Sequence, residues 1–258
     1  MPSSRFLIIN ADDLGISSEV NQGIRIAYEK GVITDSSLLI KGPYSKESIE
    51  MIKGVPSFRV GLHIDLDPLL GWESPGKERY PRQELLRMMN DPDFASRVGE
   101  EIDKQITAFL EEGLTPSHVD THHHVHSFPQ ILLPLVEAMV RYEIKAIRFC
   151  RKGYYLMGRQ DITLTPEVAC WMEKLLQEKG IFYPHHFIDP TFPFSLKELP
   201  QGITELMVHP STGGEPWRRK DFEMLMDPFF ATTLGEEGID LISFSELGVS
   251  LHYTVNRG

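Results

Sequence analysis

Four groups of polar residues along the chain carry side chains that bind metal ions or transfer protons. They are Asp12 with Asp13, His63, a tract of four histidines within 122–126, and His209. A carboxylate and two imidazole rings form a mixed ligand set for a catalytic divalent ion with positions open for water. Such an ion acidifies water and polarises a carbonyl group, while a second carboxylate and a further histidine can transfer protons. This chemistry hydrolyses an amide or an ester without a covalent intermediate.

Covalent and redox chemistry have no comparable candidates. The sequence contains no Gly-x-Ser-x-Gly motif, and neither Cys150 nor Cys170 has a histidine beside it. A serine or cysteine nucleophile is therefore not indicated. Residues 10–15 read Asn-Ala-Asp-Asp-Leu-Gly, with acids where a dinucleotide-binding loop has glycines, which argues against a nicotinamide or flavin enzyme.

The elements that must position these residues alternate between strands and helices. Buried apolar runs predict strands over 5–10, 35–40, 59–64, 117–121, 146–150, 203–208 and 240–244. Apolar residues repeated every three or four positions predict helices over 18–31, 46–53, 91–113, 129–142, 165–180 and around 221–234. Repeated strand–helix units indicate a parallel sheet covered by helices, closed as a barrel or left open.

Each polar group lies at the carboxyl end of a predicted strand. In parallel strand–helix folds these ends open on one face, which holds the active site. Each group also has a structural interpretation: Asp12 or Asp13 could cap a helix, His63 could be a satisfied buried residue, and the tract at 122–126 could be a surface loop. Separate caps and buried histidines have no reason to fall on one face, so their convergence favours a metal site.

Length and charge limit the class of protein further. The chain has 258 residues, with 26 Lys and Arg against 37 Asp and Glu, and a formal charge of −11. An acidic balance argues against nucleic acid or an anionic membrane surface as a partner. Two cysteines are too few for a disulfide scaffold, and the first apolar run is too short for a signal peptide or membrane span. We expect a cytoplasmic protein with a single domain over 1–258, comprising a barrel core at about 5–246 and a C-terminal tail at 247–258.

The polar motifs, taken in order, resemble those of a known family. Segments 10–15, 61–63, 118–126 and 207–210 are similar to the successive motifs of the YdjC-like carbohydrate deacetylases, which include chitooligosaccharide (diacetylchitobiose) deacetylases. The resemblance covers residues 6 to about 246. It implies an irregular, TIM-like (βα) barrel related to the NodB-type polysaccharide deacetylases and one divalent ion, Mg²⁺ or Zn²⁺. It also implies release of acetate from an N-acetylated amino sugar or short oligosaccharide.

The resemblance assigns roles to individual residues. Asp13, His63 and His122 take the positions of the metal ligands. Asp12 takes the position of the base that receives the proton of water. His209 takes the position of the acid that protonates the leaving group.

Four further residues could support the site. Arg148 matches an arginine that braces the base. His126 is an alternative ligand to His122, since the two rings share a face in an extended or helical segment, and spacing alone leaves the choice open. Trp72 and Trp217 lie on predicted loops of the active face, where an indole could contact a sugar ring.

The chain departs from the family pattern at four positions, of which Leu14, in place of the commoner phenylalanine, is a mild change in packing. Cys150 stands where a proline usually follows the bracing arginine. Asp65 and Asp67 replace the asparagine and threonine often found after Gly-Leu-His, which affects the expected substrate more than the chemistry. His185 and His186, beside another candidate strand, are assigned no role.

Two alternative functions are compatible with the sequence. One is a metal-dependent sugar or sugar-phosphate isomerase or lyase, because 211–214 lies late in the chain, where such barrels often bind phosphate. The sequence offers that enzyme neither a lysine base nor a carboxylate-rich two-metal cage. The other is a non-catalytic sugar-binding protein, which we would expect to lose ligand, base or acid positions that are all present here. A homodimer is the default expectation for a soluble oligomer.

Overall fold

A long buried strand near the start of the chain lies at the centre of a parallel sheet. The computed structural model describes residues 5–71, 87–150 and 166–248, and so excludes most of the predicted tail. The strands are β1 (Arg5–Leu14), β2 (Asp35–Leu38), β3 (Val60–Ile64), β4 (Val119–Thr121), β5 (His186–Ile188), β6 (Gly202–Val208) and β7 (Ile239–Leu241). All pairs are parallel in the order β4-β3-β2-β1-β6-β5, and β7 pairs with the first residues of β1.

The sheet curls so that its two edge strands become linked. Beyond β4, Val119 forms an isolated parallel bridge with Ile147, and Ala146 forms another with Phe182. The chain after Phe182 leads into β5, which pairs with β6 and thereby returns to β1. The fold is therefore α/β with a curled parallel sheet, which confirms the predicted class.

Helices cover the sheet and carry apolar stripes at the predicted spacing. They are α1 (Ser18–Glu29), α2 (Ser45–Lys53), α3 (Phe94–Glu111), α4 (Pro129–Arg141), α5 (Pro166–Glu178), α6 (Pro216–Met226) and α7 (Pro228–Glu236). On α3, Val98, Ile102 and Phe109 are fully buried, and each contributes about 1.5–3 kcal/mol to stability. Within the described ranges, no helix combines the length and apolar character needed to cross a membrane.

Side-chain alternation along β1 separates apolar packing from a polar interior. Alternate residues of a strand face opposite sides of the sheet. Leu7 and Ile9 belong to the main core formed with the helices, whereas Ile8 belongs to a small apolar cluster inside the curl. Asn10 and Asp12 follow on the side of Ile8, so the interior becomes polar toward the carboxyl ends of the strands.

The predicted strand over 146–150 is only partly right. This segment makes isolated bridges and no continuous ladder, because its apolar pattern reflects burial rather than pairing along its whole length. Arg148 within it is fully buried and is held by ion pairs to carboxylates of β1 and β6. The candidate strand beside His185 is present as β5, which begins at His186.

The predicted helix over 221–234 consists of two helices. Pro228 lacks the N–H that would continue α6, and its ring favours the first position of a new helix. Asp227 adopts an extended conformation, and its carboxylate accepts a hydrogen bond from the N–H of Phe229 at 2.9 Å. Asp227 therefore follows the last residue of α6 and is also the N-cap of α7.

Candidate metal centre

The backbone at the end of β1 brings two neighbouring carboxylates to one site. Adjacent residues of a regular strand point to opposite faces, but the pairing of β1 with β2 shifts register between Ala11 and Leu14. Asp13 adopts the left-handed conformation there, with a φ of 66°, which aspartate tolerates better than most residues. Asp12 and Asp13 are both buried, and each carboxylate lies within reach of His63.

Asp13, His63 and His122 converge on one point. Asp13 Oδ1 lies 3.3 Å from His63 Nε2 and 3.1 Å from His122 Nδ1, and the two ring nitrogens are 3.3 Å apart. Two ligand atoms about 2.1 Å from one ion would lie about 3.0 Å apart at a right angle and about 3.4 Å apart at the tetrahedral angle. Asp13 Oδ1 is buried, and no group of the described chain makes a hydrogen bond to it. The three side chains therefore fit a divalent metal ion.

A carboxylate behind His63 fixes the orientation of its ring. His63 Nδ1 donates to Asp120 Oδ1 at 2.8 Å, so that Nε2 faces Asp13. Carboxylates commonly support ligand histidines in this way, because they fix the tautomer and increase the basicity of the ring. Burial disfavours a charged ring, but Asp120 and Asp13 outweigh it and raise the pKa of His63 well above its ordinary value. The same negative field favours a bound cation.

His122 reaches this point because the tract after β4 is sharply bent. His123 and His124 are both left-handed, with φ of 57° and 55°, inside the short 3-10 segment that follows the strand. The His122 ring is 17% exposed. Burial lowers the pKa of His122, but the Asp13 carboxylate outweighs this and raises it overall. His122 therefore lies at the boundary between the buried triad and solvent.

His126, the alternative ligand, is not part of the converging group. Thr121 Oγ1 forms a hydrogen bond with His126 Nδ1 at 2.6 Å and accepts another from the His126 backbone N–H at 3.1 Å. Burial lowers the pKa of His126 to about 4, so the ring is neutral near pH 7. The sequence leaves two candidates, and the structure places His122 rather than His126 beside Asp13.

Arg148 holds the carboxylate of Asp12 through two ion pairs. Arg148 Nη1 lies 2.6 Å from Asp12 Oδ2, and Nη2 lies 2.6 Å from Oδ1. The same guanidinium contacts Asp120 Oδ2 and Glu205 Oε1, each at 2.7 Å, and is fully buried. A bidentate pair fixes both the position and the plane of a carboxylate. Arg148 thus fixes the residue to which the resemblance gives the role of base.

Carboxyl groups outnumber guanidinium groups in the ion-pair network around the triad. Among the described residues this network joins the buried carboxyl groups of Asp12, Asp13, Asp120 and Glu205 to the buried guanidinium groups of Arg148 and Arg218. Burial raises the pKa of Glu205 to about 8 in spite of Arg148, so Glu205 removes part of the excess by holding a proton near neutral pH. When the His63 and His122 rings are neutral, as metal ligands must be, the network keeps a negative excess that a cation balances.

His209 faces Asp12 from the end of β6. His209 Nε2 lies 3.9 Å from Asp12 Oδ2, and its Nδ1 lies 3.8 Å from Asp221 Oδ2. The His209 backbone N–H donates to the same Asp221 oxygen at 2.8 Å. Trp217 is 40% exposed and meets the His209 ring edge to face at 5.1 Å. Trp72, the other proposed sugar contact, lies outside the described residues.

Arg218 is a site residue that the sequence prediction misses. Its Nη2 lies 2.6 Å from Asp13 Oδ2, its Nε lies 3.0 Å from Glu215 Oε2, and its guanidinium covers the Trp217 ring at 4.4 Å. Burial alone would raise the pKa of Asp13, but His122 and Arg218 hold it well below its ordinary value. No spacing in the sequence marks Arg218, because it comes from a helix with a weak apolar pattern.

Asp120, Glu205 and Asp221 are also absent from the predicted site. The sequence could have indicated Asp120 and Glu205 as site residues, since each is a charged residue within a buried strand whose other residues are apolar or uncharged. No feature of the sequence indicates Asp221, because its role depends on where α6 packs. The first two support His63 and Arg148, and the third supports His209.

Proteins of similar sequence are named carbohydrate deacetylases. The carbohydrate deacetylase of Geobacillus stearothermophilus is 29% identical and covers 94% of this chain and 98% of its own length. That of Halalkalibacterium halodurans is 32% identical and covers 85% and 94%. The chitooligosaccharide deacetylase of Escherichia fergusonii is 34% identical over 58% of this chain and 62% of its own.

A solved structure has the same fold. A protein of Enterococcus faecalis V583, named for cellobiose-phosphate cleavage, matches 95% of this chain and 99% of its own, with a TM-score of 0.71 and 22% identity. The family 4 carbohydrate esterase of Streptomyces lividans matches 93% of this chain and 92% of its own, with a TM-score of 0.45 and 13% identity. The family model described as YdjC-like protein matches residues 6–236. The chain therefore belongs to the YdjC-like protein family.

Proposed function

We propose that this chain is a metal-dependent hydrolase that removes the N-acetyl group from an acetylated amino sugar or short oligosaccharide and releases acetate. The observation that carries the proposal is the convergence of Asp13, His63 and His122, with Asp12 and His209 beside them. The relatives named carbohydrate deacetylases support hydrolase activity at the level of the family. The acetamido group of such a sugar is a linear amide, which a base, an acid and a metal ion together can hydrolyse.

Asp13, His63 and His122 would hold one divalent ion. When bound, the ion supplies a Lewis acid and acidifies water. Two imidazole nitrogens favour Zn²⁺ over Mg²⁺, because Mg²⁺ prefers oxygen ligands. Arg218 engages Asp13 Oδ2 and leaves Oδ1 directed at the two rings, while Asp120 orients His63.

Asp12 is the proposed base. Arg148 contacts both of its oxygens, and Asn10 Nδ2 donates to Asp12 Oδ1 at 2.7 Å, so the carboxylate has little freedom to rotate. A fixed carboxylate is the arrangement that proton transfer requires, since the base must lie within hydrogen-bond reach of the attacking water. The water oxygen bonds to the acetyl carbon as its proton passes to Asp12.

His209 is the proposed acid. It approaches from a different strand than the base, and Asp221 orients it by accepting a hydrogen bond from its backbone N–H. Its proton passes to the sugar nitrogen as the carbon–nitrogen bond breaks, which gives a free amine and acetate. Trp217 lies against His209 with part of its ring exposed, where it would pack against the sugar.

Neither alternative function gains support from the described residues. The isomerase or lyase would use 211–214 to bind phosphate, but Ser211 Oγ donates to Gly213 O at 2.7 Å. Thr212 Oγ1 donates to Gln22 Oε1 at 2.9 Å, so both hydroxyl groups already have partners within the fold. A purely sugar-binding protein would have no use for a braced base and an oriented acid around one triad.

Acetate release tests the proposal. Protein loaded with Zn²⁺ or Mg²⁺ is incubated with a panel of N-acetylated mono- and oligosaccharides, and released acetate is measured. We expect release that a chelator abolishes and added metal restores, and a large loss in Asp12→Asn protein that still holds its metal. A loaded wild-type protein that releases no acetate from any member of the panel would contradict the proposal.

Three predictions from the sequence accompany this function. They are a single domain over 1–258, a homodimer and a cytoplasmic location. The fold described above does not decide any of them, so each stays a prediction. Light scattering after size-exclusion chromatography would measure the oligomeric state directly.

A further inference from the structure

A second group of metal-ligating side chains lies at the rim of the triad. Asp67, His122 and His123 each offer one ligand atom within 4.8 Å of the others. His123 Nε2 lies 3.2 Å from Asp67 Oδ2, and His122 Nε2 lies 3.9 Å from the same oxygen. The side chains are 17–29% exposed, so the group is accessible to ions from solvent.

His122 has one ring nitrogen in each group. Its Nδ1 lies 3.1 Å from Asp13 Oδ1, whereas its Nε2 is directed toward Asp67. The rings of His122 and His123 lie side by side, with centroids 3.9 Å apart. Their alignment depends on left-handed backbone at His123 and His124, a conformation that costs about 1–2 kcal/mol per residue outside glycine. The bend therefore directs two imidazole rings toward one carboxylate.

Asp67 also has an unsatisfied acceptor. Its Oδ1 is buried, and the described chain provides no hydrogen-bond partner for it. Its backbone N–H donates to Asp65 Oδ1 at 2.8 Å, which closes the loop after β3 and holds Asp67 in place. A buried carboxylate oxygen without a donor is costly, and a cation beside the carboxylate would remove that cost.

We propose that Asp67, His122 and His123 form a second divalent-cation site, and that it binds Zn²⁺. One carboxylate and two imidazole rings are ligands that zinc accepts, with solvent completing the coordination. His122 would bridge the two sites, and its Nε2 proton would pass to solvent when the second ion binds. The proposal rests on the first metal site, because it assumes that His122 Nδ1 faces that site.

The second ion would stabilise the bent tract rather than take part in hydrolysis. An imidazole ring between two ions keeps them further apart than the roughly 3.5–4 Å of catalytic two-metal sites. Neither Asp12 nor His209 belongs to the second group, so proton transfer would not involve it. The second ion would instead join the loop after β3 to the histidine tract.

Zinc stoichiometry tests the second site. Full-length protein is dialysed against Zn²⁺ and its metal content is measured, and calorimetric titration of metal-free protein with Zn²⁺ gives the number of sites. We expect two ions per wild-type chain and one per chain in Asp67→Asn and in His123→Gln. Asp13→Asn should lose the other ion, and His186→Gln, a matched histidine change outside both groups, should keep two.

The outcomes separate this proposal from the proposed function. One ion in the wild type, lost in Asp13→Asn and kept in Asp67→Asn, would overturn the second site and leave the first intact. Two ions kept in both Asp67→Asn and His123→Gln would also overturn it. An ion that Asp13→Asn retains, while Asp67→Asn loses it, would instead contradict the first site. Circular dichroism of each variant shows whether the fold is retained.

Discussion

Two fully buried histidines, His63 and His118, lie on neighbouring parts of the sheet in different surroundings. His63 lies between the carboxylates of Asp120 and Asp13, whose charges raise its pKa against the effect of burial. His118 contacts neutral hydroxyl groups and an aromatic ring, and burial lowers its pKa to about 3. Both rings are equally buried, so the adjacent carboxylates decide which histidine belongs to a cation site.

A single hydroxyl group separates the two environments. Ser37 Oγ lies 3.0 Å from His118 Nε2 and donates to Asp120 Oδ2 at 3.0 Å. On the apolar side, the His118 ring stacks on Phe244 with centroids 3.8 Å apart. Gly61 makes this position possible, because a Cβ there would lie 2.3 Å from the His118 ring. A structural histidine, His118, and a candidate ligand, His122, therefore occur within the one motif at 118–126.

The largest expected effect is the loss of metal when a carboxylate beside His63 is removed. Asp13→Ala should lower metal affinity by more than about 100-fold, because even supporting residues cost 10–100-fold. His118→Gln should retain the metal. Metal content after dialysis measures both. Stoichiometric metal in Asp13→Ala would refute the ligand assignment, and metal loss in His126→Ala but not in His122→Ala would shift the ligand along the tract.

The next effect concerns catalysis without metal loss. Asp12→Asn and His209→Ala should each reduce kcat by about 10²–10⁴, the usual contribution of a positioned acid or base, with metal content almost unchanged. His209→Ala should slow amide substrates more than activated esters, because an amine leaves poorly unless protonated and a nitrophenolate leaves unaided. Equal losses on the two substrates would remove His209 from the role of acid.

The pH dependence of protein stability should distinguish the surroundings of His118 from those of His63. Because its folded pKa of about 3 is below the unfolded value of 6.5, the stability linked to His118 is fully present above pH 6.5 and is lost as pH falls toward 3. The full loss is about 5 kcal/mol. Urea denaturation of wild type and His118→Gln should therefore show a stability difference that narrows from pH 7 to pH 4.

A constant difference in stability would contradict this contrast. If wild type and His118→Gln differ in stability by the same amount from pH 7 to pH 4, His118 is not buried as a neutral ring and the contrast with His63 fails.

The smallest expected effect is at the rim of the site. Trp217→Ala should raise KM for the sugar by about 2–10-fold and change kcat less. This factor corresponds to the loss of an aromatic contact that contributes about 0.5–1.5 kcal/mol. Phe229→Ala, which removes another exposed aromatic ring, should leave KM unchanged. Steady-state kinetics on the best substrate of the panel measure both, and equal KM values for wild type and Trp217→Ala would exclude the sugar contact.

The convergence of the site was predictable because strand ends can be located from the sequence. Buried apolar runs identify β1, β3 and β6, and parallel strands present their carboxyl ends on one face. The proximity of Asp12, Asp13, His63 and His209 can therefore be predicted without knowledge of any tertiary contact. The resemblance then favoured His122 over His126, a choice that spacing could not make.

The remaining features depend on tertiary packing. Arg218 on α6 contacts Asp13, 205 residues away in the sequence, and Asp221 on the same helix contacts His209 only because α6 packs back against the end of β6. The left-handed conformation of Asp13 is a property of the backbone that residue type permits but does not require. The division of the last predicted helix, in contrast, could have been predicted from Pro228, because proline interrupts a helix.

The partners of Arg148 also imply an order of folding. This side chain joins Asp12, 136 residues away in sequence, to Glu205, 57 residues away on the other side. Contacts of such long range form slowly, because each closes a large loop of chain. Glu205 and His209 both come from β6 and the residue that follows it, so the cluster is complete only when this late strand has joined the sheet. The three metal ligands all precede β6, but Glu205 and His209 reach Arg148 and Asp12 only after β6 has joined the sheet, so we expect a chain still emerging from the ribosome to lack the complete acid–base cluster.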